Sequence, residues 1–318
     1  MDFSIRRTRE NDLELVYLSH ENSVTGVAIM PGYGAAIYKW LIPLKNGELF
    51  NLIDSYRDAA EVRSDMSLSY KGPKLSPFPC RIAGGVYHFN GREYRFTRLF
   101  PDGSAIHGLL FDRPFSILEA TAGAGSATLL IEYTYSRDDP GYPFLYTCQV
   151  RYTLTAGDSL EIVTTVTNMD NTAIPVADGW HPYFRLGGRV DGWQLQFHSA
   201  ALLEFDNKLI PTGRLSPYNA FESPRFIGDS RFDNCFSLKP GIVSAACELF
   251  NPAIGLRISF YPDASYPYLQ LYTPSDRGSF AVENLSGAPD CFNNKMGLVV
   301  LAPGHSQIFT VRYKVSVE

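Results

Sequence analysis

The stretch from Tyr146 to Asn168 constrains the fold most strongly. Two runs, Tyr146-Thr147-Cys148-Gln149-Val150-Arg151-Tyr152-Thr153-Leu154 and Leu160-Glu161-Ile162-Val163-Thr164-Thr165-Val166-Thr167-Asn168, are rich in β-branched and aromatic residues and alternate with period two. Between them stands the turn Ala156-Gly157-Asp158. Gly and Asp tolerate the backbone of a tight reversal, so the pair predicts an antiparallel hairpin with one face in a core. Period two recurs in a second pair of segments, 255–261 and 268–273, and again in 308–317, which closes the domain. Only residues 59–70 allow a short helix. Glu, Lys and Ala runs are sparse, while 26 Gly and 21 Pro are spread evenly, as many short strands joined by turns require. The expected class is all-β, with strands in sandwiched layers.

At 318 residues the chain exceeds the usual length of one domain, but β-sandwiches often do so as single units. No linker, internal repeat or low-complexity tract divides it, so residues 1–318 are expected to form one domain. Apolar residues at 45% against 19% charged supply a large core, and the 14% aromatic content suits a cleft lined with rings. A net charge of −5 with no basic stripe excludes a nucleic-acid footprint. Met1-Asp2-Phe3-Ser4-Ile5-Arg6-Arg7 does not open a secretory signal, and no apolar run approaches the ~18 residues of a membrane span. Five scattered cysteines give neither a disulfide framework nor a CxxC metal pattern. A reduced, cytoplasmic protein without a membrane partner is expected; a leader removed in processing would overturn that.

Candidate chemistry rests on a few side chains. His181 lies in Asp178-Gly179-Trp180-His181-Pro182-Tyr183-Phe184, where the following proline forces extended backbone. Alternation then puts His181 and Tyr183 on one face and Trp180 and Pro182 on the other. An imidazole and a phenol beside aromatic bulk suit a sugar cleft; a hydrogen-bonded, half-buried histidine at a turn is the plainer alternative. Glu283, in Phe280-Ala281-Val282-Glu283-Asn284-Leu285-Ser286-Gly287, ends an apolar strand before a loop. Partial desolvation there would raise its pKa toward that of a general base; pairing with an arginine or capping the loop is the alternative. Arg81 and His107 occupy short turn-flanked segments from which a guanidinium and an imidazole can meet sugar hydroxyls, or can simply be surface and loop residues. No two histidines stand at metal-ligand spacing, so no metal site is expected. Nucleotide-cradling glycine patterns and the Gly-x-Ser-x-Gly elbow are missing as well.

Four segments in order resemble the aldose 1-epimerase (galactose mutarotase) family. They are Phe78-Pro79-Cys80-Arg81-Ile82-Ala83-Gly84, Ile106-His107-Gly108, His181-Pro182-Tyr183-Phe184, and Glu283-Asn284-Leu285-Ser286-Gly287-Ala288-Pro289-Asp290-Cys291-Phe292-Asn293. The resemblance runs from about residue 78 to 293, and the shared order is its most specific feature. It implies a large antiparallel β-sandwich, the supersandwich, and a cofactor-independent isomerase acting on a monosaccharide. In that reading His181 is the general acid that protonates the ring oxygen, and Glu283 is the base that takes the C1 hydroxyl proton. The two would stand across the sugar, with Glu283 ionised at rest and His181 protonated or readily so. Arg81 and His107 would orient hydroxyls, and Asp233, in Arg231-Phe232-Asp233-Asn234-Cys235-Phe236, matches the family's substrate-binding aspartate. Galactose mutarotases carry Ser after the histidine and Asn after the Phe, where this chain has Pro182 and Arg185, and Cys80 replaces a common Asn. These departures bear on the sugar more than on the reaction. A hexose-6-phosphate epimerase would need extra cations at the cleft, for which Arg98, Arg185 and Arg189 are candidates. A binding protein of the same fold without catalysis, or an accessory domain of a lyase or glycosidase, are the readings from other classes.

Overall fold

The hairpin forms part of a nine-stranded antiparallel sheet in a computed structural model that describes residues 2–318. Its strands run in the spatial order Ser116–Ala122, Ser126–Ser136, Leu145–Thr155, Ser159–Asn168, Ser306–Val317, Leu256–Pro262, Cys247–Asn251, Gln194–Phe197 and Arg225–Phe226. At the hairpin turn Gly157 and Asp158 take φ of 75° and 52°, the left-handed values that favour those residue types. Along Leu145–Thr155 buried and part-exposed positions alternate without a break, so Tyr146, Cys148, Val150, Tyr152 and Leu154 all point inward. The C-terminal strand is central, hydrogen-bonded between Ser159–Asn168 and Leu256–Pro262.

Facing it is an eight-stranded antiparallel sheet. Seven strands run in the order Pro211–Ser216, Ser199–Phe205, Asp233–Leu238, Tyr268–Tyr272, Phe280–Leu285, Gly179–Trp180 and Lys74–Leu75; the eighth, Tyr183–Phe184, also pairs with Phe280–Leu285. Rings from the two sheets meet between the layers: Trp180 lies against Tyr152, and Phe184 against Phe260 and Tyr313, with centroids 5.1–6.0 Å apart. The alternating segments near 255–261 and 268–273 therefore belong to opposite sheets. Pro262 and Pro267 bracket the crossover, and neither has the N–H needed to continue a ladder.

A five-stranded meander, Phe3–Glu10, Leu13–His20, Thr25–Met30, Ala36–Pro43 and Leu49–Asn51, contributes Val16, Leu18, Val27, Ile29 and Trp40 to the same core. The one longer helix, Ala59–Ser69, coincides with the segment where a helix was expected. Asp58 caps it, its carboxylate accepting from the Ala60 and Glu61 amides at 2.9 Å each. Tyr70 ends the helix in a left-handed conformation, φ 49°, and this turns the chain toward the cleft described below. Among the described residues no helix is long and apolar enough to cross a membrane. All five cysteines are free and buried.

Candidate active site

Strand register brings the distant sequence segments together. Gly179 pairs with Leu285 and Tyr183 with Ala281, so the same antiparallel register sets His181 opposite Glu283. On the other side of Glu283 its partner is Gln270, and Gln270 in turn pairs with Cys235. Asp233 stands two residues along, one diagonal step from Gln270, and accepts its amide at 3.0 Å. His181, Glu283, Gln270 and Asp233 thus form a row across one face of the eight-stranded sheet. The opposite face carries Phe280 and Val282 into the core, which is why all of Phe280–Leu285 is buried. His181 Nε2 lies 3.3 Å from Glu283 Oε1.

Loops complete the site. His107 donates its backbone N–H to the Cys80 carbonyl at 2.8 Å, and Arg81 pairs with Ile106. Cys80 and His107 both hold left-handed backbone, φ 52° and 58°, unusual for such residues and maintained here by the interlocked segments. Gly108, φ 74°, approaches Ser76 so closely that a Cβ would lie 2.3 Å from the Ser76 carbonyl oxygen. Asp290 ties the loop after Glu283 to the same place: its amide donates to the Arg81 carbonyl at 2.7 Å and its carboxylate accepts from the Ala83 amide at 3.0 Å. Behind the His181 strand, Ser286 donates its amide to the Asp178 carbonyl while its hydroxyl accepts the Asp178 amide, each at 2.8 Å.

The result is a cleft of about 390 Å³ whose lining includes every residue expected to bind or act: Arg81, His107, His181, Asp233 and Glu283. Aromatic groups ring it. His181 stacks on Tyr183 with centroids 5.0 Å apart and meets His107 edge-on at 4.9 Å; His107 lies 4.5 Å from Tyr70. Tyr183 and Tyr272 cross at 6.2 Å. Arg81 donates from Nε to Asp102 at 3.0 Å, and Lys71 stands 3.3 Å from Asp54. Gln270, Tyr70 and Tyr272 were not singled out in the sequence. Gln270 alternates with the core residues Leu269 and Leu271 and so falls on the cleft face, which only the pairing with Glu283 reveals.

Burial governs the electrostatics. Glu283 is only 2% and His181 6% exposed. Burial, reinforced by the neighbouring Asp233 charge and opposed by Arg81, lifts the Glu283 carboxyl well above the usual range. Burial also lifts Asp233, against Arg81 and the Gln270 hydrogen bond. The same desolvation lowers His181 to about 4, and it also takes His107 well below its ordinary range, with help from the His181 and Arg81 charges. Both shifts run against the expected resting state, an ionised Glu283 beside a His181 protonated or readily so. The two shifts share one cause, since neither charged form is solvated there. The expected placement of the two groups across a pyranose is corrected as well. At 3.3 Å apart on neighbouring segments of one sheet, they are too close to flank a ring. The fold also gathers His107, His181 and Glu283 so that one donor atom from each lies within 4.8 Å of the others, a grouping their sequence spacing could not reveal.

The aldose 1-epimerase family model matches residues 15–314. Among curated proteins, the chain is 28% identical to the uncharacterized protein YihR of Escherichia coli over 78% of this chain and 80% of that one. It is 22% identical to the aldose 1-epimerase of Streptococcus thermophilus over 98% and 96% of the two chains. Among solved structures, a galactose mutarotase-like protein of Clostridium acetobutylicum superimposes with a TM-score of 0.87 at 14% identity, covering 100% of this chain and 99% of the other. A galactose 1-epimerase of Lactobacillus acidophilus gives 0.80 at 18%, covering 99% and 98%. With the family model spanning nearly the whole chain and the sandwich matched end to end, this protein belongs to the aldose 1-epimerase family.

Proposed function

We propose that this protein interconverts the α and β anomers of a neutral aldose, with His181 as general acid and Glu283 as general base. The observation that carries the reading is the buried imidazole–carboxyl contact of 3.3 Å, set in the wall of a cleft otherwise lined by rings and hydrogen-bonding groups. In an aldopyranose the ring oxygen and the C1 hydroxyl are bonded to the same carbon. Two groups side by side can therefore address both. The pair needs one proton. Sugar hydroxyls donating to the carboxylate favour its ionised form and move that proton to the imidazole. Glu283 then takes the C1 hydroxyl proton while His181 gives one to the ring oxygen. The C1–ring oxygen bond breaks, the aldehyde forms, and rotation about C1–C2 followed by the reverse transfers yields the other anomer. Gln270, Asp233, Arg81 and His107 orient the hydroxyls.

The charge lining favours an unphosphorylated substrate. Of the cleft's cations, Lys71 is paired with Asp54 and Arg81 with Asp102, while Asp233, Asp276 and Glu283 add further acidic groups. Of the arginines considered for a phosphate, Arg185 and Arg189 do not line the cleft, and Arg98, in an adjoining hollow that shares Tyr70 and Phe100 with it, is paired with Asp112. Polarimetry of freshly dissolved α-glucose, α-galactose and a hexose 6-phosphate tests the reading. Acceleration on a neutral sugar supports it. Acceleration confined to the phosphate rejects the substrate class, and no acceleration on any aldose rejects the activity in favour of sugar binding alone.

A further inference from the structure

We propose that His107, His181 and Glu283 form a binding site for a borderline divalent transition cation such as Zn²⁺, whose occupancy excludes sugar from the cleft. One donor atom from each of the three lies within 4.8 Å of the others, and among the described residues no other three such groups converge. Zinc bonds nitrogen and oxygen at about 2.0–2.2 Å, so adjacent tetrahedral ligands stand about 3.4 Å apart. The 3.3 Å between His181 Nε2 and Glu283 Oε1 already matches that edge. All separations lie within 4.8 Å, so closing the third vertex takes a shift of at most about 1.4 Å. The His107 ring makes it: its Nδ1 has no partner among the described residues, and its backbone is held by its bond to Cys80. The set of two imidazoles and one carboxylate is that of open zinc sites, with the fourth position left to water from the cleft. Binding the ion deprotonates Glu283, which then supplies compensating negative charge. Hard cations such as Mg²⁺ and Ca²⁺ prefer oxygen cages and find none here.

The surroundings also set the strength. A ligating histidine normally donates its other ring nitrogen to a carboxylate or carbonyl, and losing that partner weakens a site about 10–100-fold. The Nδ1 atoms of His107 and His181 are buried without a partner among the described residues. The ion is therefore held reversibly and yields to a chelator. Exclusion of sugar rests on the proposed function, since the ion would occupy the space between acid and base; ion binding itself does not.

Titration with Co²⁺ tests this without reference to activity, because a cobalt ion in a four-coordinate site shows intense visible absorption. One Co²⁺ per chain with that spectrum, displaced by Zn²⁺, is expected. Affinity should fall at least tenfold in both His107→Gln and Glu283→Gln, each checked for folding by circular dichroism. Inhibition of anomerisation by Zn²⁺, competitive with sugar and reversed by EDTA, is expected of the wild type. A visible band lost in both variants but unaffected by sugar supports the ion site and counts against the catalytic reading. No band and no stoichiometric Zn²⁺ binding, or binding undiminished in both variants, overturns the proposal.

Discussion

Replacing Lys74 by Met should destabilise the protein by about 3–5 kcal/mol, the cost of leaving a buried charge without its partner. The Lys74 and Asp178 side chains are fully buried and paired. Lys74 Nζ also donates to the Gly179 carbonyl at 3.0 Å and lies 4.1 Å from the centroid of the Trp180 ring. Tyr266 donates to Asp178 at 2.6 Å, while the second carboxylate oxygen of Asp178 has no partner among the described residues. Burial pulls the Lys74 pKa down and pushes that of Asp178 up, and each partner's charge opposes the shift of the other. Met fills the lysine stem but leaves the carboxylate stranded beside an apolar core. In Lys74→Met/Asp178→Asn the charge is gone and the Tyr266 hydrogen bond survives. The double variant should therefore recover about 2 kcal/mol relative to the sum of the single losses. Urea unfolding of the four proteins at pH 7 measures this. The sign with pH is specific. Without Lys74, folded Asp178 binds its proton more tightly than the unfolded chain, so the deficit is greatest at neutral pH and shrinks on acidification. Single losses below about 1 kcal/mol, or strict additivity, would refute the view that this pair is a coupled buried ion pair supporting the His181 strand.

Other consequences follow from the same packing. Gln270→Ala removes a donor to Asp233 and a polar group from the cleft wall. It should lower kcat/KM for the best sugar about 2–10-fold, matching one neutral hydrogen bond, and an unchanged kcat/KM by polarimetry would discard the role. Asp170 is partly desolvated, which raises its pKa. Hydrogen bonds from Arg137 and from the Leu145 and Asn171 amides outweigh this, so its pKa falls. Its contribution to stability is therefore complete above the unfolded value of about 3.9 and is lost as pH drops through the lower folded value. Asp170→Asn should lose about 1–2 kcal/mol at pH 7 and show a flatter stability profile below pH ~4, read by thermal unfolding.

The strands were legible because period two is a local property. The run from Tyr146 to Leu154 declares an inward face, and Gly157-Asp158 can adopt the backbone that reverses it. The segment order around Arg81, His107, His181 and Glu283 likewise pointed to one family, and the family model agrees. Pairing partners were not legible. Alternation does not say that segments near 255–261 and 268–273 enter different sheets, since that depends on where the chain crosses between layers at Pro262 and Pro267. Gln270 went unnoticed because a lone glutamine in a strand announces nothing until register sets it beside Glu283. The pKa shifts of His181 and Glu283 are illegible for a related reason: their desolvation is a property of the finished packing, and one segment gives no measure of it.

Turnover by Glu283→Gln, on whichever sugar the wild type anomerises fastest, is the sharpest single measurement. The amide keeps the shape of the side chain but cannot take a proton from the C1 hydroxyl. Saturation-transfer NMR should show exchange between anomers slowed by about 10²–10⁴-fold, with sugar affinity by calorimetry changed only a few-fold. A variant that keeps more than about a tenth of wild-type turnover would remove Glu283 from the chemistry, and with it the acid–base pair it is proposed to form with His181.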